Sequence, residues 1–287
     1  MSSIDIHQHF WPESFVAALQ ARNSPPCLDG EVLILREGRF ALDLQYDELD
    51  ARLELLDRDG IDIAVVSLQP TLGTGDLPTD ERSELEDAWV EGVLEVVAAS
   101  NGRLRAFAPG RHLPGFVGTS IDSHAFTNVE GIAPLLDELE RHSVPLFVHP
   151  GAVTQTEAVP GWWTAVVDYT AQMNVAYFRW LAEGRGRWPS LRIAFAILAG
   201  GAPFQLERLG QRGPATRSAL DANIYFDVAT YARRSIELCA ETFGVSHLLY
   251  GSDRPVVEPT QTLRAVRGFG ESVEKLLTID NPMAFLR

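Results

Sequence analysis

Two histidines near the start of the chain, His7 and His9, stand two residues apart in the apolar segment Ile4–Phe10. A β-strand sends successive side chains to opposite faces, so residues two apart share one face. Both imidazoles would therefore point the same way, and imidazole is the commonest metal ligand in proteins. The spacing predicts half of a metal site, whose other ligands must come from later in the chain. The alternative is an apolar strand with two incidental histidines.

Composition limits the partners that this chain can bind. It has 287 residues, of which 46% are hydrophobic, and a formal net charge of -15. This is enough for one large core, and we expect a single domain over residues 1–287. Because an acidic surface repels nucleic acid and anionic membranes, we expect neither as a partner, but a small-molecule substrate. The distant Cys27 and Cys239 predict reduced thiols in a cytoplasmic protein.

Short apolar segments alternate with helical patterns along most of the chain. Eight of them are predicted strands, at residues 4–10, 61–69, 104–108, 115–124, 144–149, 191–198, 223–228 and 248–253. Apolar strands alternating with helices predict an α/β fold with a parallel sheet, and eight units in this length predict a TIM (β/α)8 barrel. A doubly wound open sheet is the rival, but no glycine-rich phosphate loop follows the first strand. Within residues 11–44, two apolar runs around Glu37-Gly38 predict a small β-hairpin flap that partly covers the barrel mouth.

The functional residues of a TIM barrel lie at the carboxyl ends of its strands. Besides the first histidine pair, the predicted strand ends carry Asp122, His124, His149, Asp227 and Asp253. Three histidines and an aspartate on one rim form a donor set that suits Zn²⁺ or another borderline divalent ion, such as Mn²⁺. We expect Asp227 to serve as a hydrogen-bond partner more readily than as a base.

Several motifs resemble the amidohydrolase superfamily, and most closely the branch typified by aminocarboxymuconate semialdehyde decarboxylase. The matching segments are residues 4–11 (IDIHQHFW), 147–151 (FVHPG), 200–204 (GGAPF) and 250–253 (YGSD), followed by Pro255. The resemblance spans essentially the whole chain. It implies that the metal ligands are His7, His9, His149 and Asp253. Relatives in this branch are often dimers, which makes a homodimer the expected assembly.

One position departs from the pattern of this branch. Its members usually carry a histidine just before the double glycine, which activates the metal-bound water, and the alignment places Ile197 there. An aliphatic side chain cannot accept a proton. Two residues remain as candidate bases: Asp253, acting as ligand and base together, and His124 at the end of the fourth predicted strand. A one-residue shift in register would turn His124 away from the rim.

Three functions follow from this reading. The surviving Asp253 and the missing histidine favour hydrolysis of a C–O or C–N bond, in a lactone, ester or amide of a small organic acid, with metal-activated water as nucleophile. The whole-chain resemblance favours non-oxidative decarboxylation of a small unsaturated or aromatic carboxylic acid. The third possibility is a degenerate binding protein without catalysis, which Ile197 supports and the four intact ligands oppose.

Three further residues are predicted to contact the substrate. Trp11 in the flap and Trp162 after the fifth predicted strand would wall a pocket for a flat molecule, with ordinary packing as the alternative. Arg254 would face a substrate carboxylate, with a surface ion pair as the alternative.

Overall fold

Eight parallel strands form the centre of the computed structural model, which describes residues 2–213 and 222–287. In chain order the strands are β1 Ile4–His9, β2 Cys27–Asp29, β3 Val32–Leu35, β4 Gly38–Ala41, β5 Ile63–Ser67, β6 Leu104–Pro109, β7 Gly118–Asp122, β8 Leu146–His149, β9 Ile193–Phe195, β10 Ile224–Asp227 and β11 Leu248–Leu249. The parallel sheet has the order β1-β5-β6-β7-β8-β9-β10-β11. Its strands are mostly buried, because helices cover the outer face and side chains fill the inside.

Backbone hydrogen bonds close this sheet on itself. The Ile6 amide donates to the Tyr250 carbonyl at 3.0 Å, and the His9 amide donates to the Arg254 carbonyl at 2.7 Å. These bonds join the segment after β11 to β1. The sequence-based prediction of a TIM barrel is therefore confirmed.

Helices connect the barrel strands. The longer α-helices are Glu13–Gln20, Leu49–Asp59, Thr79–Ala99, Val129–His142, Tyr169–Arg179, Pro203–Arg212, Arg233–Phe243 and Thr260–Gly268. Single π-helical turns, Thr164–Asp168 and Trp180–Gly184, flank the fifth of these helices. The chain ends with Glu271–Lys275, the π turn Leu276–Asp280 and Asn281–Phe285. A search of the described residues for a helix both long and apolar enough to span a bilayer finds none.

The insertion after β1 contains a small antiparallel sheet. Strands β3 and β4 pair Val32 with Ala41 and Leu35 with Gly38, on either side of the turn that was expected from Glu37-Gly38. Strand β2 adds a third strand that the sequence did not indicate, and it pairs Cys27 with Ile34. The helix Glu13–Gln20 precedes this sheet, so the insertion is more regular than its sequence suggested.

The sixth barrel strand is shorter than its sequence predicted. The apolar run suggests a strand over residues 191–198, but β9 ends at Phe195, and Ile197, Leu198 and Ala199 have φ values of 46°, 52° and 50°. The Asn174 amide of the neighbouring helix donates to the Ala199 carbonyl at 3.2 Å and also to the Gly200 carbonyl. These bonds hold the chain in a left-handed turn, which periodicity cannot reveal.

This turn predicts a stabilising substitution. A left-handed backbone conformation costs an L-residue roughly 1–2 kcal/mol, and glycine avoids this cost. Part of the resulting stabilisation is lost because glycine has more conformational freedom in the unfolded chain. We expect Ala199→Gly to raise the free energy of unfolding by about 0.5–1 kcal/mol, measured by urea denaturation. The matched control is Ala133→Gly inside the helix Val129–His142, which should lower that free energy by about 1 kcal/mol. If both variants lower the free energy of unfolding equally, the backbone at Ala199 is not strained.

Candidate metal centre

Four side chains meet at the carboxyl ends of the barrel strands. One donor atom from each of His7, His9, His149 and Asp253 lies within 4.8 Å of all the others. The Nε2 atoms of His7 and His9 are 3.3 Å apart, and Asp253 Oδ1 lies 3.5 Å from the first and 3.3 Å from the second. The structure thus brings together the four residues that the sequence predicts as ligands.

Hydrogen bonds on the far side of each ring indicate what this cluster can bind. The three Nδ1 atoms each face an oxygen: Asp227 Oδ2 at 2.7 Å from His7, the Ser67 carbonyl at 3.2 Å from His9, and the Pro150 carbonyl at 2.9 Å from His149. These acceptors assign the ring protons to Nδ1 and leave lone pairs on the converging Nε2 atoms. Lone pairs this close repel one another unless a cation lies between them. The donor set therefore fits a borderline divalent ion, with oxygen acceptors behind each imidazole as in known metal sites.

Burial and neighbouring charges shift the titration of these groups in the metal-free protein. Burial lowers the pKa of His9 and lowers the pKa of His149 further. Burial also opposes charge on His7, but Asp227, Asp253 and Asp5 together outweigh it and raise the pKa of His7 to about 9. The neighbouring carboxylates thus favour positive charge on His7, whereas burial disfavours it on His9 and His149.

Asp253 is held as an anion by the same neighbours. Burial alone would raise its pKa, but the positive charge of His7 and the contact with His9 lower the pKa of Asp253 below its ordinary value. Its backbone has a φ of 61°, and its amide donates to the His7 carbonyl at 2.8 Å. This backbone geometry aims the carboxylate at the two histidines of β1.

Asp5 ties the two ligand-bearing segments together. Its Oδ1 accepts from the amides of His7 at 3.1 Å and Ser252 at 3.0 Å, and its Oδ2 accepts from Gln8 Nε2 at 2.8 Å. Burial raises the pKa of Asp5 to about 6 despite these hydrogen bonds. The signal for it in the sequence was the i, i+2 alternation, which places Asp5 on the same face of the strand as His7.

Arg52 is a second supporting residue that the sequence analysis missed. Its guanidinium is fully buried, and Nη1 donates to Gln8 Oε1 at 2.9 Å and to the His9 carbonyl at 2.8 Å. A buried guanidinium with oxygen partners fixes the backbone that it contacts. Its spacing was a signal, because Arg52 stands three residues after Leu49 and four before Leu56, on the apolar face of its helix.

Asp227 and Gly251 pack tightly behind His7. Asp227 Oδ1 accepts from the Ala229 amide at 2.9 Å, while Oδ2 faces His7 Nδ1 and also the Ile197 amide at 3.4 Å. A Cβ on Gly251 would lie 2.0 Å from Asp227 Oδ1 and 2.7 Å from the His7 Cβ. Glycine is therefore required at this position, and Asp227 acts as the hydrogen-bond partner that was expected.

His124 lies apart from the four ligands. Strand β7 ends at Asp122, so His124 belongs to the following 3-10 turn. Its ring is 48% exposed and pairs with Asp122 at 3.2 Å, and this hydrogen bond raises the pKa of His124. The structure does not bring it to the metal centre, and its catalytic role stays a prediction without a supporting contact.

Arg254 does not face the mouth of the barrel, contrary to the expectation of a substrate contact. Its side chain is 4% exposed and binds Asp59 at 2.8 and 3.0 Å and Glu258 at 2.9 and 3.0 Å. Asp59 ends the helix that leads into β5, at the amino-terminal end of the barrel. Arg254 therefore forms ion pairs, as the alternative prediction stated, and does not contact the substrate. Its guanidinium is buried, however, and not on the surface.

The two tryptophans differ in their surroundings. Trp11 is buried, and its Nε1 donates to Gln69 Oε1 at 2.6 Å. Trp162 is 57% exposed, and its ring centroid lies 5.8 Å from that of Trp163. Contact of either tryptophan with a substrate stays a prediction.

The contact between Asp227 and His7 leads to a test of metal affinity. Asp227→Asn removes the charge that makes His7 basic and should weaken the binding of Zn²⁺ by about 10–100-fold, as is usual for partners of metal-bound histidines. Competition with a chromophoric chelator measures this loss. Asp122→Asn is the control, because Asp122 pairs with the exposed His124 instead of a ligand. Equal affinity in both variants would contradict the role of Asp227.

Comparison with known proteins places this site in a family. The model of the amidohydrolase family matches residues 4–287. The chain is 20% identical over 328 residues to 2-amino-3-carboxymuconate-6-semialdehyde decarboxylase of Dictyostelium discoideum, covering 99% of this chain and 91% of that protein.

Solved structures share the fold. The 2,6-dihydroxybenzoate decarboxylase from Rhizobium is 17% identical with a TM-score of 0.73, covering 100% of this chain and 98% of that one. The 5-carboxyvanillate decarboxylase from Novosphingobium aromaticivorans, with bound manganese and a nitrobenzoic acid, is 17% identical with a TM-score of 0.77, covering 99% and 97%. Since the family model covers nearly the whole sequence, this chain belongs to the amidohydrolase family.

Proposed function

We propose that this protein is a metal-dependent carboxy-lyase, which removes CO₂ without oxidation from a small aromatic or unsaturated carboxylic acid. The observation that carries this proposal is the buried centre of three histidines and one aspartate, in a chain whose full-length relatives above are named decarboxylases. The decarboxylase alternative thus replaces hydrolysis as the leading hypothesis, because none of these relatives supports a hydrolytic reaction.

Ile197 also fits decarboxylation better than hydrolysis. Hydrolysis needs an attacking water and a group that takes its proton. Decarboxylation replaces the carboxylate of the substrate by a proton, so it releases CO₂ and consumes no water. Ile197 is 9% exposed and offers no proton acceptor behind the ligands. Its presence is therefore a smaller obstacle to decarboxylation than to hydrolysis.

The ligand set defines where the carboxylic acid would bind. A divalent ion held by the three histidines and Asp253 supplies Lewis-acid stabilisation of negative substrate oxygens. The donors suit Zn²⁺, and the manganese in one related structure makes Mn²⁺ the second candidate. The buried Asp5 and Arg52 keep β1 in place while a substrate enters.

Asp253 is the residue that we assign to proton transfer. When the bond between the carboxyl carbon and its neighbour breaks, the electron pair stays on the neighbouring carbon, which must take up a proton. Because Asp253 is an anion, it would first take this proton from solvent and then pass it to the carbon. Asp253 presents Oδ1 to both histidines of β1, which leaves its other oxygen for the substrate. Each ligand histidine has its Nδ1 engaged on the far side of its ring. Asp253 is therefore the one ligand whose second donor atom could face the substrate.

Product analysis tests this function. Protein loaded with Zn²⁺ or with Mn²⁺ should release CO₂ from hydroxybenzoic acids and leave the matching phenols, as measured by CO₂ detection and chromatography. Asp253→Asn should lower kcat by at least about 100-fold, the usual contribution of a positioned acid or base. Asp122→Asn serves as the control and should keep most of the activity. Products that retain the carboxylate and gain the elements of water would favour hydrolysis instead.

A further inference from the structure

The tip of the flap, Arg36 and Glu37 between β3 and β4, bridges two loops at the barrel mouth. Arg36 Nη1 donates to Asp76 Oδ2 at 2.9 Å, in the segment after β5. On the other side, the Tyr169 hydroxyl lies 2.9 Å from both carboxylate oxygens of Glu37. Tyr169 begins the helix that follows β8. The flap tip therefore spans the two loops whose strands carry residues of the metal centre.

Further contacts tie this tip to the segments just beyond the metal centre. Glu37 lies near the backbone of Val153, and the Tyr169 hydroxyl lies near Thr71. Val153 stands four residues beyond His149, and Thr71 stands four residues beyond Ser67. Glu37 and Tyr169 consequently lie beside the first residues of the loops that follow β8 and β5.

The two loops approach each other closely beneath the flap. A Cβ on Gly73 would lie 3.0 Å from the Ala152 Cβ. In addition, the charge of Asp253 acts on Tyr169 and contributes, after burial and Glu37, to the raised pKa of its phenol. The flap tip is hydrogen-bonded to Asp76 after β5 and to Tyr169 after β8, so it lies across both loops at the barrel mouth.

The charge at this position is negative. Glu37 is half-buried, and burial together with the nearby Asp168 raises its pKa, against the hydrogen bond from Tyr169. The basic side chain next to it, Arg36, is already paired with Asp76. A carboxylate that enters the pocket at this end would meet Glu37 directly, whereas a hydroxyl group could donate a hydrogen bond to it.

We propose that Glu37 and Tyr169 form the distal wall of the substrate pocket and select a monocarboxylic acid that carries a hydroxyl group far from the carboxylate to be lost. The orientation of that substrate rests on the proposed function. The distal hydroxyl donates to Glu37, and Tyr169 is the positioning residue that holds the Glu37 carboxylate. A second carboxylate at the same place is excluded by charge repulsion, so the pair provides attraction for one substrate class and repulsion for another.

Binding measurements test the selection without requiring turnover. The ligands are 4-hydroxybenzoate and 3-hydroxybenzoate, each compared with the benzenedicarboxylate that has a carboxylate in place of the hydroxyl. Calorimetry on the Zn²⁺-loaded protein should show the hydroxy acid binding at least about 10-fold more tightly than its partner, as a hydrogen bond to a charged group allows. Glu37→Gln keeps the shape but removes the charge, and it should reduce this ratio to about threefold or less.

Two further variants test whether the preference for hydroxy acids depends on the pair of Glu37 and Tyr169 or on acidic charge in general. Tyr169→Phe should weaken hydroxy-acid binding by about 5–10-fold, because Glu37 loses the group that positions it. Glu157→Gln, an exposed acidic residue in the loop that also contains Val153, makes the same change of charge and should leave the ratio unchanged. A ratio in Glu37→Gln equal to that of the parent protein would overturn the assignment of the distal wall.

Recording CO₂ release in parallel distinguishes this inference from the function on which it rests. If the ratio changes as expected while no hydroxy acid loses CO₂, the distal wall stands and the carboxy-lyase proposal fails. If CO₂ is released but the ratio is the same in parent and Glu37→Gln, the function stands and the distal wall is wrong.

Discussion

The convergence of four lone-pair donors on one point is the constraint on which the rest of this structure depends. Three imidazole nitrogens and a carboxylate oxygen within 4.8 Å of one another repel unless a cation lies between them. The fold must supply the force that keeps them there. It does so with buried hydrogen bonds behind each ligand and with the barrel backbone itself, since the bond from the Asp253 amide to the His7 carbonyl also helps to close the sheet.

The backbone around the centre is shaped for this task at some cost. Asp253 and the turn at residues 197–199 have left-handed φ values that L-residues rarely adopt. Such conformations persist where the surrounding structure holds them, and they cluster at functional sites. Two contacts stabilise the turn: the hydrogen bond from the Asn174 amide to the Ala199 carbonyl, and the contact of the Ile197 amide with Asp227. The same aspartate orients His7, so the turn and the ligand share one support.

Ile197 has a different meaning in the context of the site and of the relatives than in the sequence alone. From the sequence, the missing histidine favoured hydrolysis, because Asp253 remained as a possible base. The two reactions differ, however, in what they consume. A reaction that needs a proton and no water tolerates an aliphatic side chain at this position. The flap then gains importance, because the groups that recognise the substrate must lie on the side of the pocket opposite the ligands.

The sequence by itself determined the fold class and, through its resemblance to the family, the four residues that converge at the metal centre. Alternation along a strand places His7 and His9 on one face, and the barrel topology brings strand ends together whatever lies between them. The tertiary structure decided which other polar residues join them. It paired Arg254 with Asp59 and Glu258, left His124 at the solvent side, brought Asp5 and Arg52 behind the ligands, and joined Glu37 of the flap to Tyr169. The physical reason is that periodicity fixes the direction of a side chain only inside a regular element, whereas turns, helix ends and inserted strands take their direction from packing against distant parts of the chain.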